Sequence, residues 1–82
     1  MIFELQSGTD MVIVKEWLLE NIGPLYKGYT NIGEGWNMWT EVKWAKDILD
    51  IKMAAYVNID GRKCRKGGLT AFKLKFGQQC IR

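Results

Sequence analysis

Trp36-Asn37-Met38-Trp39-Thr40-Glu41-Val42-Lys43-Trp44 carries a period of two, and this stretch decides the fold. Successive side chains of a strand point to opposite sides, so Trp36, Met38, Thr40, Val42 and Trp44 share one face and Asn37, Trp39, Glu41 and Lys43 the other. The first set is the expected core. Leu49, Ile51, Met53, Ala55, Val57 and Ile59 repeat the same period and read as the returning strand of a hairpin. A four-residue loop, 45–48, sets Trp44 against Leu49, Val42 against Ile51, Thr40 against Met53, Met38 against Ala55 and Trp36 against Val57. On the outer face this register pairs Lys43 with Asp50 and Glu41 with Lys52 and lays Trp39 over Ala54. A helix over 46–56 competes with it, because Ala, Leu, Met and Lys are good helix formers and Asp47 can cap.

Towards the N-terminus, residues 1–6 alternate Met1, Phe3 and Leu5 with Ile2, Glu4 and Gln6, as a half-buried strand does. Ser7-Gly8-Thr9-Asp10 breaks that strand and starts a helix at about Thr9. Met11, Val14, Leu18 and Ile22 line one side of the helix, with Lys15, Glu16 and Glu20 on the other. Gly23, as a left-handed cap, and Pro24 end it. Residues 25–32, with Tyr26, Tyr29, Thr30 and Ile32, read as a strand, and Gly33-Glu34-Gly35 as a turn. Beyond Ile59, Asp60-Gly61 is a turn, followed by a basic loop and a last strand over 69–76. In that strand Thr70, Phe72, Leu74 and Phe76 face inward, and Lys73 and Lys75 outward. The predicted fold is α+β, order β-α-β-β-β-β, with one helix packed on a mainly antiparallel sheet. Its 82 residues form a single domain, because a chain this short buries only about 60% of its unfolded surface.

Charge is polarised along the chain. Residues 1–60 hold all nine acids and five lysines, whereas 61–82 hold seven Lys or Arg and no acid. Net −4 thus precedes net +7, and the overall +3 conceals a segment suited to an anionic partner. A hydrophobic fraction of 48% argues against disorder. No run approaches the roughly 20 apolar residues that span a bilayer, and the N-terminus lacks a basic leader pattern, so a cytoplasmic location without membrane contact is expected. Cys64 and Cys80 are expected to be free thiols. The chain has no histidine, so no zinc site, cofactor or acid–base enzyme is expected.

Three groups of residues are candidate sites. Arg62, Lys63, Arg65 and Lys66, with Lys73 and Lys75 on the following strand, match the clustered cations that neutralise phosphates. The alternative is a solubilising face or a guarded sheet edge. Tyr29, Trp39 and Tyr56 are expected on the outer face among Lys27, Lys43, Lys52, Lys73 and Lys75, a pattern suited to stacking nucleic-acid bases. The alternative is structural pairing within the sheet. Glu41-Val42-Lys43 with Asp47 and Asp50 superficially matches a metal-dependent nuclease, but cross-strand partners account for those charges without catalysis. The expected function is non-catalytic binding of nucleic acid or a nucleoprotein. A purely protein-binding inhibitor is the alternative, docking the same cations on an acidic surface with Trp39, Tyr26 or Tyr29 as anchor. Oligomeric state stays open, including association through a sheet edge.

In general character the chain resembles the compact accessory proteins of T4-type bacteriophages. It is short, begins with a strand at Met1-Ile2-Phe3, lacks histidine, is rich in aromatics and carries one charge-polarised surface from Arg62 to Lys75. The resemblance implies an inhibitor of a host defence factor, such as an RNA-cleaving toxin, a restriction enzyme or a CRISPR complex.

Overall fold

The hairpin forms, in a register two residues away from the expected one. The computed structural model describes residues 1–44 and 51–81. Strand β3 (Trp36–Trp44) pairs antiparallel with β4 (Ile51–Ile59), setting Trp44 opposite Ile51, Val42 opposite Met53, Thr40 opposite Ala55 and Trp36 opposite Ile59. The connection is therefore six residues rather than four. A shift of two preserves the face of every side chain, so the inward set survives while the outer pairs change. Lys43 now opposes Lys52, and Glu41 opposes Ala54. The expected partner of Lys43, Asp50, lies outside the described residues, as do all of residues 45–50. The strand at Ile51–Ile59 overturns the competing helix over 46–56 for its second half; residues 46–50 lie outside the described residues.

Strand β1 (Ile2–Leu5) lies on the far side of β4, with Phe3 opposite Val57. Strand β2 (Ile32–Gly33) adds two residues beside Trp36 and Asn37, completing the sheet order β1-β4-β3-β2. Residues 25–32 are therefore not the strand expected: only Ile32 belongs to one, with Leu25 forming an isolated bridge to Gly33. Helix α1 (Met11–Asn21) starts two residues later than expected, where the Asp10 carboxylate accepts from the Val12 and Ile13 amides. Its Val14 and Leu18, with Ile22 just beyond, are buried, as the spacing predicts. Gly23 does not adopt the left-handed cap conformation. A side chain there would collide with the backbone of Glu34, so close approach is what requires glycine.

The largest departure is the final element. Residues 69–76 belong to helix α2 (Gly68–Phe76), not to a strand. Phe72 and Phe76, four residues apart, fit helical as well as strand spacing, and local pattern alone does not separate the two. Packing does. Phe72 and Phe76 lie 5.8 and 5.5 Å from the Trp17 ring, and Phe72 lies 4.8 Å from Phe3. Both helices thereby cover the sheet face that carries Phe3, Leu5, Trp36, Met38, Val57 and Ile59. The order is β-α-β-β-β-α within the expected α+β class.

Thr40, Val42 and Met53, expected in the core, are exposed. An 11-residue helix spans about 16 Å and a nine-residue strand about 30 Å, so the hairpin runs past the helical layer. Among the described residues no helix is long and apolar enough to cross a membrane. Cys64 and Cys80 are free thiols, Cys64 beside Gly35 and the Cys80 backbone bridged to Leu5. Burial pushes the Cys80 thiol up from its ordinary value.

Candidate functional site

With both helices on one face, no helix among the described residues covers the other, and the odd positions of β3 and even positions of β4 build it. Trp39 opposes Tyr56, and their rings stack at 5.5 Å and 19°. One row towards the N-terminus of β3, Asn37 opposes Asn58. Two rows the other way, Lys43 opposes Lys52. Rows on one face are two residues apart, about 6.6–6.8 Å, so the face runs some 20 Å from amides through aromatics to cations.

Glu4, on β1, organises the middle of this surface. Its carboxylate is buried and accepts from Lys43 Nζ at 2.6 Å and from the Tyr56 hydroxyl at 3.0 Å. The hydrogen bond to Glu4 holds the Lys43 ammonium above its ordinary pKa. Burial, with the bond to Glu4 adding to it, pushes the Tyr56 phenol up. Lys43 Nζ also lies 6.0 Å from the Tyr56 ring centre, at the limit of a cation–π contact. The Trp39 indole donates to Glu41 at 3.1 Å. These contacts employ Glu41 and Lys43 structurally, and Asp47 and Asp50 lie outside the described residues. Glu4 was not among the candidates read from the sequence. The available signal was its place on β1, an acid alternating with Phe3 and Leu5 and so forced to the open face.

The basic loop leaves β4 at the amide end of this face. Asp60 shapes it: its carboxylate accepts from the Arg62 amide, its carbonyl from the Lys63 and Cys64 amides, and its own amide donates to Gly35 at 2.8 Å. Lys63 borders a cleft with Asn37, Asn58 and Asp60, and Arg62 borders another with Met1, Asn58 and Asp60. Both cations therefore adjoin the Asn37–Asn58 row. Arg65 turns away. Its guanidinium donates to the Glu20 carbonyl at 2.7 Å, near the C-terminal end of α1 where carbonyls lack helical partners. Lys66 is exposed at the turn into α2.

The remaining candidates separate. Lys73 and Lys75 are exposed on α2, in the layer behind the sheet, and two helical positions set them about 200° apart around its axis. The single outward face expected for them does not exist. Tyr29 and Lys27 lie in the 25–31 loop, outside the sheet, where Lys27 Nζ sits 5.4 Å over the Tyr26 ring. Of the residues read from the sequence, Trp39, Tyr56, Arg62 and Lys63 come together around one surface, and Tyr29, Lys73 and Lys75 do not join it.

No protein-family model, curated protein or solved structure matches this chain. Its function is therefore argued from the geometry of this surface.

Proposed function

We propose that the chain is a non-catalytic binding protein that holds single-stranded nucleic acid, alone or within a nucleoprotein, on the open face of its sheet. The observation that carries this reading is the Trp39–Tyr56 stack on a face that no helix among the described residues covers, beside a loop presenting Arg62 and Lys63. Bases of single strands stack on such rings irrespective of sequence, and flanking cations hold the phosphates. Asn37 and Asn58 add amide donors and acceptors for base edges or sugars. Arg62 offers a forked contact to phosphate that a lysine does not. The resemblance to T4-type accessory proteins adds a context, in which the bound nucleic acid belongs to a host defence factor such as an RNA-cleaving toxin.

The test is fluorescence anisotropy with labelled single-stranded RNA, single-stranded DNA and both duplexes over a salt series. Single strands are expected to bind best. Arg62→Ala with Lys63→Ala flattens the salt slope by roughly 0.7 per lost phosphate contact. Trp39→Ala weakens binding by about 1–3 kcal/mol per base stacked. Lys73→Ala with Lys75→Ala, on the helical layer, leaves the midpoint nearly unchanged. Absence of binding at low salt overturns the proposal and leaves the loop as a docking surface for an acidic protein.

A further inference from the structure

The two edges of the sheet are finished differently. Along β1, the C-terminal segment closes the edge: the Gln6 amide donates to the Gln79 carbonyl and the Ile81 amide to the Glu4 carbonyl, both at 2.7 Å. Along β3, β2 pairs only with Trp36 and Asn37, and the last bond on that side runs from the Met38 amide to the Asn31 carbonyl at 2.9 Å. Beyond it, no strand among the described residues pairs with β3. Backbone groups alternate in direction along a strand, and the Met38 amide points outward. The amides and carbonyls of Thr40, Val42 and Trp44 therefore point outward too, on an exposed edge where Val42 is 46% accessible. A cleft of about 300 Å³, lined by Met11, Val12, Lys15, Met38, Trp39 and Thr40, runs between this edge and α1 and leaves room for an incoming strand.

We propose that this edge pairs with the same edge of a second copy, antiparallel, about a two-fold axis through Val42. The backbone edge supplies the pairing and the charges select its register, while the Lys43 ammonium keeps its bond to Glu4 and Glu41 its bond from the Trp39 indole. Centring on Val42 sets Val42 opposite its counterpart and Thr40 opposite Trp44, all outward-pointing positions, and uses the whole free stretch. It also sets Glu41 opposite Lys43 of the other copy, twice by symmetry, at the closely spaced positions of the ladder. Centring one residue earlier opposes Glu41 to Glu41, and one residue later Lys43 to Lys43. Centring on Thr40 demands the Met38 amide, which Asn31 already occupies. Opposite charges two residues apart on an open edge make an antiparallel copy of that strand its own electrostatic complement, an isologous contact that closes at two. The product is one continuous eight-stranded sheet with all helices on one side. This pairing stands independently of nucleic-acid binding.

Sedimentation velocity across a wide concentration range, at low and high salt, tests it. The expected result is conversion from the 9.5 kDa chain to a species of twice that mass, weakened by salt. Glu41→Lys alone and Lys43→Glu alone should each remain monomeric, since each opposes like charges; because Lys43→Glu also removes the partner of the Glu4 carboxylate, its circular dichroism is compared with the wild type, and Glu41→Lys carries the test if that variant unfolds. Mixing the two variants should restore the dimer, because the two cations of one copy then face the two carboxylates of the other. Val42→Pro, which removes an outward amide without touching the β4 ladder, should also abolish association while circular dichroism stays unchanged. A chain that stays monomeric throughout, or a dimer indifferent to these substitutions, overturns the proposal.

Discussion

Lys43 on β3 reaches Glu4 on β1 across the intervening strand, and the diagonal between them crosses β4 at Ala54. The register explains the crossing. Glu4 lies opposite Tyr56 and Lys43 opposite Lys52, so the midpoint falls on residue 54, where only a small side chain leaves the path clear. Ala54 is 9% exposed although no helix among the described residues covers its side of the sheet. The bridge also relieves the like-charge opposition of Lys43 and Lys52 by supplying a carboxylate within hydrogen-bond reach.

Alkaline stability depends on this cluster. Lys43 is held above its ordinary 10.5, chiefly by its hydrogen bond to Glu4, and Tyr56 above its ordinary 10.0, chiefly by burial with the Glu4 bond next. Both groups keep their protons more tightly folded than unfolded. The stability they contribute is complete below about pH 10 and is lost as pH rises through the raised folded values. Thermal melts from pH 8 to 11.5 are expected to fall above pH 10 in the wild type. In Glu4→Gln the fall should be shallower, with burial of Tyr56 supplying the remainder. Identical profiles would show that Glu4 does not hold the two protons.

The joint between basic loop and sheet rests on Gly35. It adopts φ +80°, and an added Cβ would lie 2.7 Å from the Cys64 nitrogen. The left-handed backbone alone costs a non-glycine residue about 1–2 kcal/mol, and the contact with loop backbone adds to this. Gly35→Ala should lower the urea midpoint accordingly. Gly67→Ala shares the positive φ but meets nothing within 4 Å, so it should cost only the backbone share. Equal losses would show that the Cys64 contact carries no weight.

Residues 72 and 74 separate the helix from the strand it resembles. Phe72 is fully buried, and Phe72→Ala should cost about 3–5 kcal/mol in chemical denaturation. Leu74, 83% exposed on α2, should accept lysine within about 0.5 kcal/mol. A strand at 69–76 would bury both, and a large loss for Leu74→Lys would refute the helix.

What was legible from the chain alone was periodicity and charge. The alternation of 36–44 determined one strand and its inward face, that of 51–59 offered its partner against a competing helix over 46–56, the 11-14-18-22 spacing determined α1, and the cluster at 62–66 marked a basic loop. Each is a local property, expressed within one element. The sequence by itself left three matters undetermined, because each depends on residues far apart in the chain. The register moved by two because inward alternation fits any even shift equally well. Residues 69–76 became a helix because the sheet face left beside α1 is closed by Phe72 and Phe76 against Trp17 and Phe3, which strand and helix patterns describe equally well. The candidate surface was decided last. Moving α2 behind the sheet removed Lys73 and Lys75 from it, and the pairing of β1 with β4 brought Glu4 to Lys43 and Tyr56 across 39 and 52 residues of chain.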